Sequence, residues 1–464
     1  MKKIKCCVYA IFNVLIMLSL LCSCSVSTSI DGLEIVDNKL VSMGSCDSNE
    51  ITIPSNITTI AYAAFKGRKS LESITIPSSV STIETAAFAD CINLKSVIFE
   101  EDSNIVSIGS TAFRGCSSLK NIKIPSSVTD IGFSVFEECD KLIFNKYDNG
   151  LYLGNNENPY VILVKSTKTN IQSIKINENT LFIHSKAFMD CTKVNEIIIP
   201  NSVLDIGERA FLNCENLKSI SIPKNVVKIG ACAFYACVKL SNVIFEEGNK
   251  ITNIEPYTFY GCDFESFEIP YNVENIEEYA FYACDQLTSI VIPENVKKIN
   301  AKAFIRCSGL TNIKVNENNT VYDSRENSNS IIETATNTVV LGCKNTILVD
   351  SIIGIGDYAF YFLEDIKEIK LPSNIKNIGK YSFSGCEGLE SIFIPTSLMK
   401  IDYNAFSGCK KVKFYYFGTN EDWGKIDIHP TNPYIGELYY YSQETPIEKG
   451  NYWYYNENNN IVIW

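Results

Sequence analysis

Close copies of one stretch, Ile74 to Ser96 (ITIPSSVSTIETAAFADCINLKS), recur down most of the chain, and this limits the fold more than any other feature. Each copy opens apolar-x-apolar-Pro, places Val or Ile three residues after the proline, and continues with Ile, Ala-Phe, Cys and Leu. Units begin at Ile51, Ile74, Val97, Ile122, Ile174, Ile197, Ile220, Val243, Phe267, Ile290, Ile369 and Ile392, with a degenerate unit from Thr346 to Glu368. Most starts lie 23 residues apart, as from 51 to 74 and from 197 to 220. A period of roughly 20 to 50 residues marks stacked supersecondary units, each too small to bury its own apolar face.

Each frame position has a physical reading. In Ile74-Thr75-Ile76 the alternation turns both isoleucines to one side, as in a short half-buried strand that Pro77 ends. Val80 and Ile83 return to the interior. Ala86, Ala87 and Phe88 suit a tight helical or 3₁₀ turn, small residues letting backbones approach while phenylalanine fills the core. Leu94 closes the unit. Stacked in register, such units form a parallel sheet with rungs about 4.8 Å apart.

The full frame, Pro-x-x-Val-x-x-Ile-Gly-x-x-Ala-Phe-x-x-Cys-x-x-Leu, stands at Pro223 to Leu240, and at Pro372 to Leu389 with Ile375 for Val and Ser382 for Ala. It resembles the BspA-type leucine-rich repeats of bacterial surface proteins, over Ile51 to Phe414. The resemblance implies an α/β repeat fold: a right-handed leucine-rich-repeat solenoid with a parallel β-sheet face, short helical turns, two β-hairpin insertions and terminal caps. It also implies display on a cell surface and a role in adhesion or other protein binding, although fold alone does not fix function.

Charge and composition remove whole classes of function. The net charge of −12 disfavours nucleic acid, whose phosphates need a basic face. Only two histidines occur, His184 and His429, which weighs against most hydrolytic and metal chemistry. His184 takes the frequent Gly position after the frame Ile and reads as a solvated turn residue. No nucleophile-elbow, His-Glu-x-x-His, Walker or dinucleotide motif stands in a strand–helix context. The reading is therefore no enzyme, no cofactor and no metal, the Cys232–Cys237 spacing being a weak signal without a second pair.

At the N-terminus, Lys2, Lys3 and Lys5 precede an apolar run from Cys6 to Cys22, the pattern of a secretion signal. Leu21-Cys22-Ser23-Cys24 resembles a bacterial lipobox, with lipid attachment expected at Cys24. The expected division is a lipoprotein signal peptide at 1–23, a tether and N-terminal cap at 24–50, the solenoid at 51–414 and an aromatic C-terminal cap at 415–464. Insertions at about 145–173 and 316–345 read as strand–turn–strand segments and resemble the hairpin islands of the family. The tyrosines and tryptophans after Phe414 are read as a cap over the last coil in preference to a sugar-stacking patch.

Cysteine is abundant, at 18 residues. Eleven (Cys91, Cys116, Cys139, Cys191, Cys214, Cys237, Cys262, Cys284, Cys307, Cys386 and Cys409) share one frame position, so no single one stands out as a nucleophile. Parallel side-chain vectors suit a disulfide poorly, and the expectation is an inward-facing reduced ladder. Cys46, Cys232 and Cys343 lie off it.

The remaining signal is the residue between the two inward positions of each strand. It is mixed where the interior is uniform: Lys175, Ile198, Ser221, Ile244, Glu268, Val291, Lys370 and Phe393 form the candidate binding face. Exposed Ile198, Ile244, Val291 and Phe393 would make a recognition surface. The function expected is a lipid-anchored adhesin on the outer membrane or cell surface, binding protein or matrix, with glycan open as a ligand. The alternatives are a structural envelope protein and, less favoured, a carbohydrate-active enzyme.

Overall fold

The computed structural model describes residues 27–30, 32–432, 437–446 and 450–464. The chain forms two compact units: one runs to Asn145 and takes Leu153–Val161, and the other comprises Lys146–Tyr152 and Ile162–Trp464.

In the first unit every coil carries two strands, not one. The apolar-x-apolar segments Glu50–Thr52, Ser73–Ile76, Ser96–Phe99 and Asn121–Ile122 pair in parallel, with Ile51, Ile74, Val97 and Ile122 in register. A second sheet stacks the two-residue strands Thr59–Ile60, Thr82–Ile83, Ser107–Ile108 and Asp130–Ile131. It is headed by an antiparallel meander, Ser27–Ile30, Leu33–Val36 and Lys39–Ser42, whose last strand pairs in parallel with Thr59–Ile60. The alternation in the sequence explains the first sheet. Ile74 and Ile76 are fully buried while Thr75 between them keeps some contact with solvent.

The second unit repeats the two-strand coil and the meander. Ile162–Ser166 pairs in parallel with Phe182–Ile183, which leads to Asp205–Ile206 and Lys228–Ile229. At the second insertion Tyr322–Asp323, Ile331–Glu333 and Thr338–Leu341 pair antiparallel, and Thr338–Leu341 then pairs in parallel with Gly354–Ile355. Both insertions thus end in a strand that starts a fresh sheet.

The expected helical turns are absent from the described coils, and the α/β class is corrected accordingly. Among the described residues helix is confined to the four-residue Asn420–Trp423 and a 3₁₀ turn at Arg325–Asn327, both outside the Ala-Phe segments. The cause is a pair of left-handed residues four apart: Ala86 (φ +58°) and Asp90 (+61°), Arg209 (+56°) and Asn213 (+60°), Tyr279 (+57°) and Ala283 (+55°). Each costs a non-glycine residue about 1–2 kcal/mol. What they provide is alternation. Ala86, Phe88 and Asp90 donate N–H bonds to the next coil, at Ser110, Ala112 and Arg114 O (2.9, 2.8 and 2.7 Å), whereas Ala87 and Ala89 bond within their own turn. A helix would send every N–H along the segment and leave the coils unjoined on this side.

Phenylalanine and cysteine hold the interior together. In the first unit the rings of Phe65, Phe88, Phe113 and Phe136 stack at 5.0–6.0 Å. In the second, Phe188, Phe211, Phe234, Phe259, Phe281 and Phe304 stack at 5.1–5.6 Å, and Phe360, Phe383 and Phe406 do the same. Such contacts add about 0.5–1.5 kcal/mol per pair beyond the area buried. The ladder cysteines are buried free thiols, and each of ten donates its Sγ–H to the Phe carbonyl one coil back, as Cys91 to Phe65 O (3.0 Å) and Cys284 to Phe259 O (3.2 Å). A small weak donor is what that carbonyl needs, since a longer polar side chain would not fit between coils.

Candidate functional site

Parallel register pairs the expected binding residues within successive short sheets formed by the longer strands of the second unit. Lys175 lies beside Ile198, Ser221 beside Ile244, and Glu268 beside Val291 and then Lys314. Lys175, Ser221, Glu268 and Lys370 are exposed. The apolar members also face solvent, Ile198 at 57 %, Ile244 at 52 % and Val291 at 53 % exposure. The face is striped: each exposed apolar residue stands between polar neighbours, so no continuous apolar patch forms.

Phe393 does not belong to this face. It is in register with Lys370 and Tyr415, but only 2 % of it is exposed. Tyr452–Tyr455 continues the last sheet, and Trp453, fully buried, packs edge-on against Phe393 (5.6 Å), Tyr415 (5.4 Å), Phe417 (5.0 Å) and Tyr441 (5.2 Å). Its indole N–H donates to Tyr416 O (3.2 Å). Phe393, Tyr415, Tyr439 and Trp453 thus make a second small core on the outer face of the sheet. A face that alternation alone leaves to solvent is covered here by a strand about 60 residues further on.

One smaller expectation is also revised. His184 is buried, not solvated: its N–H donates to Leu163 O on the insertion strand (2.9 Å), and its Nδ1 lies 3.1 Å from Ser185 O. Cys343 is buried, while Cys46 and Cys232 are half-buried; all three are free thiols. Cys24 lies outside the described residues.

A surface that the strand column does not reveal lies on the Ala-Phe turns of the second unit. The residue before Ala-Phe and the residue after it are repeatedly tyrosine. In one file Tyr257 stacks on Tyr279 (4.9 Å), the Lys302 ammonium sits over both Tyr279 (5.4 Å) and Tyr358 (5.6 Å), and Tyr358 stacks on Tyr381 (5.1 Å). Beside it Tyr235, Tyr260 and Tyr282 stack at 4.2 and 4.8 Å. The Arg306 guanidinium then reaches Tyr282 (6.0 Å) and Phe362 (4.6 Å), with Tyr361 against Phe362 (4.6 Å). Partial burial raises the phenol pKa of Tyr257, Tyr260, Tyr358 and Tyr361, and Glu278 at 2.7 Å raises that of Lys302. The signal for this strip was present in the sequence as Tyr257-Thr-Phe-Tyr260, Tyr279-Ala-Phe-Tyr282 and Tyr358-Ala-Phe-Tyr361, but it shows only when the turn positions are aligned as the strand positions were.

Catalytic chemistry needs a polarised group in a cleft, and most of the ladder thiols are the reverse. Burial pushes the thiols of Cys237 and Cys284 up to about 12, so the nucleophilic thiolate is suppressed. Among the described residues no group of three or more His, Cys, Asp or Glu is placed to hold a metal ion, and no helix is long and apolar enough to cross a membrane.

A leucine-rich repeat protein from Bacteroides ovatus is 25 % identical over 89 % of this chain and 96 % of its own, with a TM-score of 0.43. A leucine rich cell surface protein from Faecalibacterium prausnitzii is 25 % identical over 87 % of this chain and 97 % of its own, with a TM-score of 0.39. A leucine-rich repeat protein from T. pallidum is 24 % identical over 44 % of this chain and 82 % of its own, with a TM-score of 0.27. No curated protein matches the chain. The family described as "BspA type Leucine rich repeat region (6 copies)" matches residues 42–156, 166–253, 248–342 and 340–426, well over half of the sequence. The chain therefore belongs to the BspA-type leucine-rich repeat family.

Proposed function

We propose that this protein is a non-catalytic cell-surface adhesin: a right-handed solenoid, closed by caps at both ends, that binds a protein or matrix ligand through the outer face of its longer strands. The observation that carries this reading is the exposure of Ile198, Ile244 and Val291 on parallel-paired strands. Apolar side chains set among Lys175, Ser221 and Glu268 can be desolvated by a partner while the polar neighbours fix its register. Lys370 is exposed on a later sheet, and Phe393 is excluded by its burial. The insertions at 145–173 and 316–345 add variable edges. A chain beginning at Ser25, titrated against matrix and surface proteins, should give saturable binding. Replacing Ile198, Ile244 and Val291 together by Glu should weaken it by roughly 100-fold or more without changing the fold. Silence toward every such ligand would instead favour a structural envelope role.

The same reading includes secretion and lipid anchoring at Cys24, supported by the basic start, the apolar run and Leu21-Cys22-Ser23-Cys24. Stable anchoring takes two signals, since one acyl chain binds a membrane only marginally. Cys24→Ser should move the protein from the membrane to the soluble fraction. Retention of the variant at the membrane would exclude the lipid anchor.

A further inference from the structure

The second insertion does more than lengthen the chain. Where it separates the coil ending at Leu310 from the coil of Phe360, the surface opens into a cavity of about 610 Å³, within the usual size of small-ligand sites. Asp285, Arg306, Lys344, Phe362, Glu364 and Asp365 line it. Lys344 comes from the insertion itself, and the other five come from turns of the flanking coils.

The charges at this cavity select its occupant. Three carboxylates repel an anion. Two cations repel a cation. An apolar ligand would strip water from all five charged groups and return nothing. The Arg306 guanidinium lies over the Phe362 ring at 4.6 Å and makes no ion pair with a described residue, so its N–H groups can donate to a ligand. Asp285 already accepts from the Ser308 hydroxyl (3.1 Å) and retains further acceptor capacity. Lys344 and Asp365 are 3.9 Å apart, a loose pair that a bridging group could enter. Closely set acceptors and donors of this kind match a ligand whose groups each donate and accept, which means hydroxyls. The rings of the tyrosine strip are stacked on one another, so they offer edges and phenol tips to a ligand and not open faces. Tyr282 and Tyr361 extend that hydroxyl-bearing surface outward from the cavity through Arg306 and Phe362.

We propose that this cavity binds a neutral oligosaccharide, on the order of two or three sugar units by its volume, held by hydrogen bonds to Asp285, Glu364, Arg306 and Lys344. The site goes beyond the binding role proposed above: it lies on the turns and not on the sheet face, so the two stand or fall separately.

Isothermal titration of the chain from Ser25 with maltotriose, cellotriose, mannotriose and diacetylchitobiose, and with trigalacturonate as the acidic control, tests it. At least one neutral sugar should bind and trigalacturonate should not. Arg306→Gln and Asp285→Asn should each weaken binding by roughly tenfold or more, the usual loss for a hydrogen bond to a charged group. Ser308→Trp, at an exposed turn position on the cavity wall, should abolish it by filling the space, and it decides the matter if either polar variant fails to fold. The triple Glu replacement on the sheet face should leave sugar affinity unchanged while it removes the protein ligand. No binding of any neutral sugar at about 5 mM, binding of the acidic trimer instead, or binding that survives Ser308→Trp would each overturn the assignment.

Discussion

Raising the pH from 8 to about 10.5 should remove several kcal/mol of stability from each unit, and the buried thiols should account for a large part of the loss. Burial pushes Cys237, Cys284 and Cys139 from 9.0 to about 12 and Cys91 to about 11. A thiol is neutral when protonated, so the folded state holds the proton more tightly than the unfolded chain does. The stabilisation is therefore complete below pH 9 and is lost as pH rises from 9 toward 12, each thiol subtracting about 2 kcal/mol by pH 10.5. Cys237 and Cys284 together subtract about 4 kcal/mol from the second unit, a large fraction of an ordinary domain's stability. Tyrosine and lysine titrate in the same range, so the decisive comparison is with Cys237→Ala/Cys284→Ala. That variant should be less stable at pH 8 yet lose less between pH 8 and 10.5, measured as the urea midpoint by circular dichroism. Equal losses in parent and variant would show that the ladder thiols are not the source.

The second large effect concerns the phenylalanine stack. Phe281 is fully buried, with Phe259 at 5.6 Å, Phe304 at 5.1 Å and Phe267 edge-on at 4.9 Å. Phe281→Ala should cost about 3–5 kcal/mol, because coils tied above and below by backbone hydrogen bonds cannot collapse into the space left. Coils couple mainly to their neighbours, so the damage should also weaken communication along the stack. The second unit should then unfold in two steps, where the parent unfolds in one. Ile198→Ala, on the exposed face, should stay within about 0.5 kcal/mol of the parent. A single unshifted transition for Phe281→Ala would show that the stack contributes shape and little stability.

How legible the molecule was depends on which part of the coil is asked about. The inward positions were readable because burial acts on them identically in every copy: Ile74, Val80, Ile83, Phe88, Cys91 and Leu94 recur at fixed offsets, and all are buried. The Ala-Phe turn was misread as helical because its geometry lies in the backbone. Ala86, Arg209 and Tyr279 have side chains that would suit a helix, yet the hydrogen bonds of neighbouring coils force them left-handed. The second strand of each coil was missed for a similar reason. Two residues such as Thr82-Ile83 are too short to show alternation. Phe393 failed as a face residue because what covers it, Trp453, comes from outside the periodic region. Of the candidate face, the pairs Lys175–Ile198, Ser221–Ile244 and Glu268–Val291 follow from register alone. The tyrosine strip and the cavity depend on which coils the second insertion separates, and a period cannot tell that.

The three-stranded meander that precedes Thr59, and the insertion strands that precede Phe182 and Gly354, bear on how such a chain finds its alignment. Consecutive coils share one interior pattern, so a tract displaced by a whole coil would still bury isoleucine on isoleucine and phenylalanine on phenylalanine, at little cost. The segments heading each tract have sequences unlike the coils and unlike one another, and each has a single parallel partner. They peg the count. A displacement that begins within one tract is stopped at the next peg, which limits how far an error of assembly can spread along a chain made of near-identical parts.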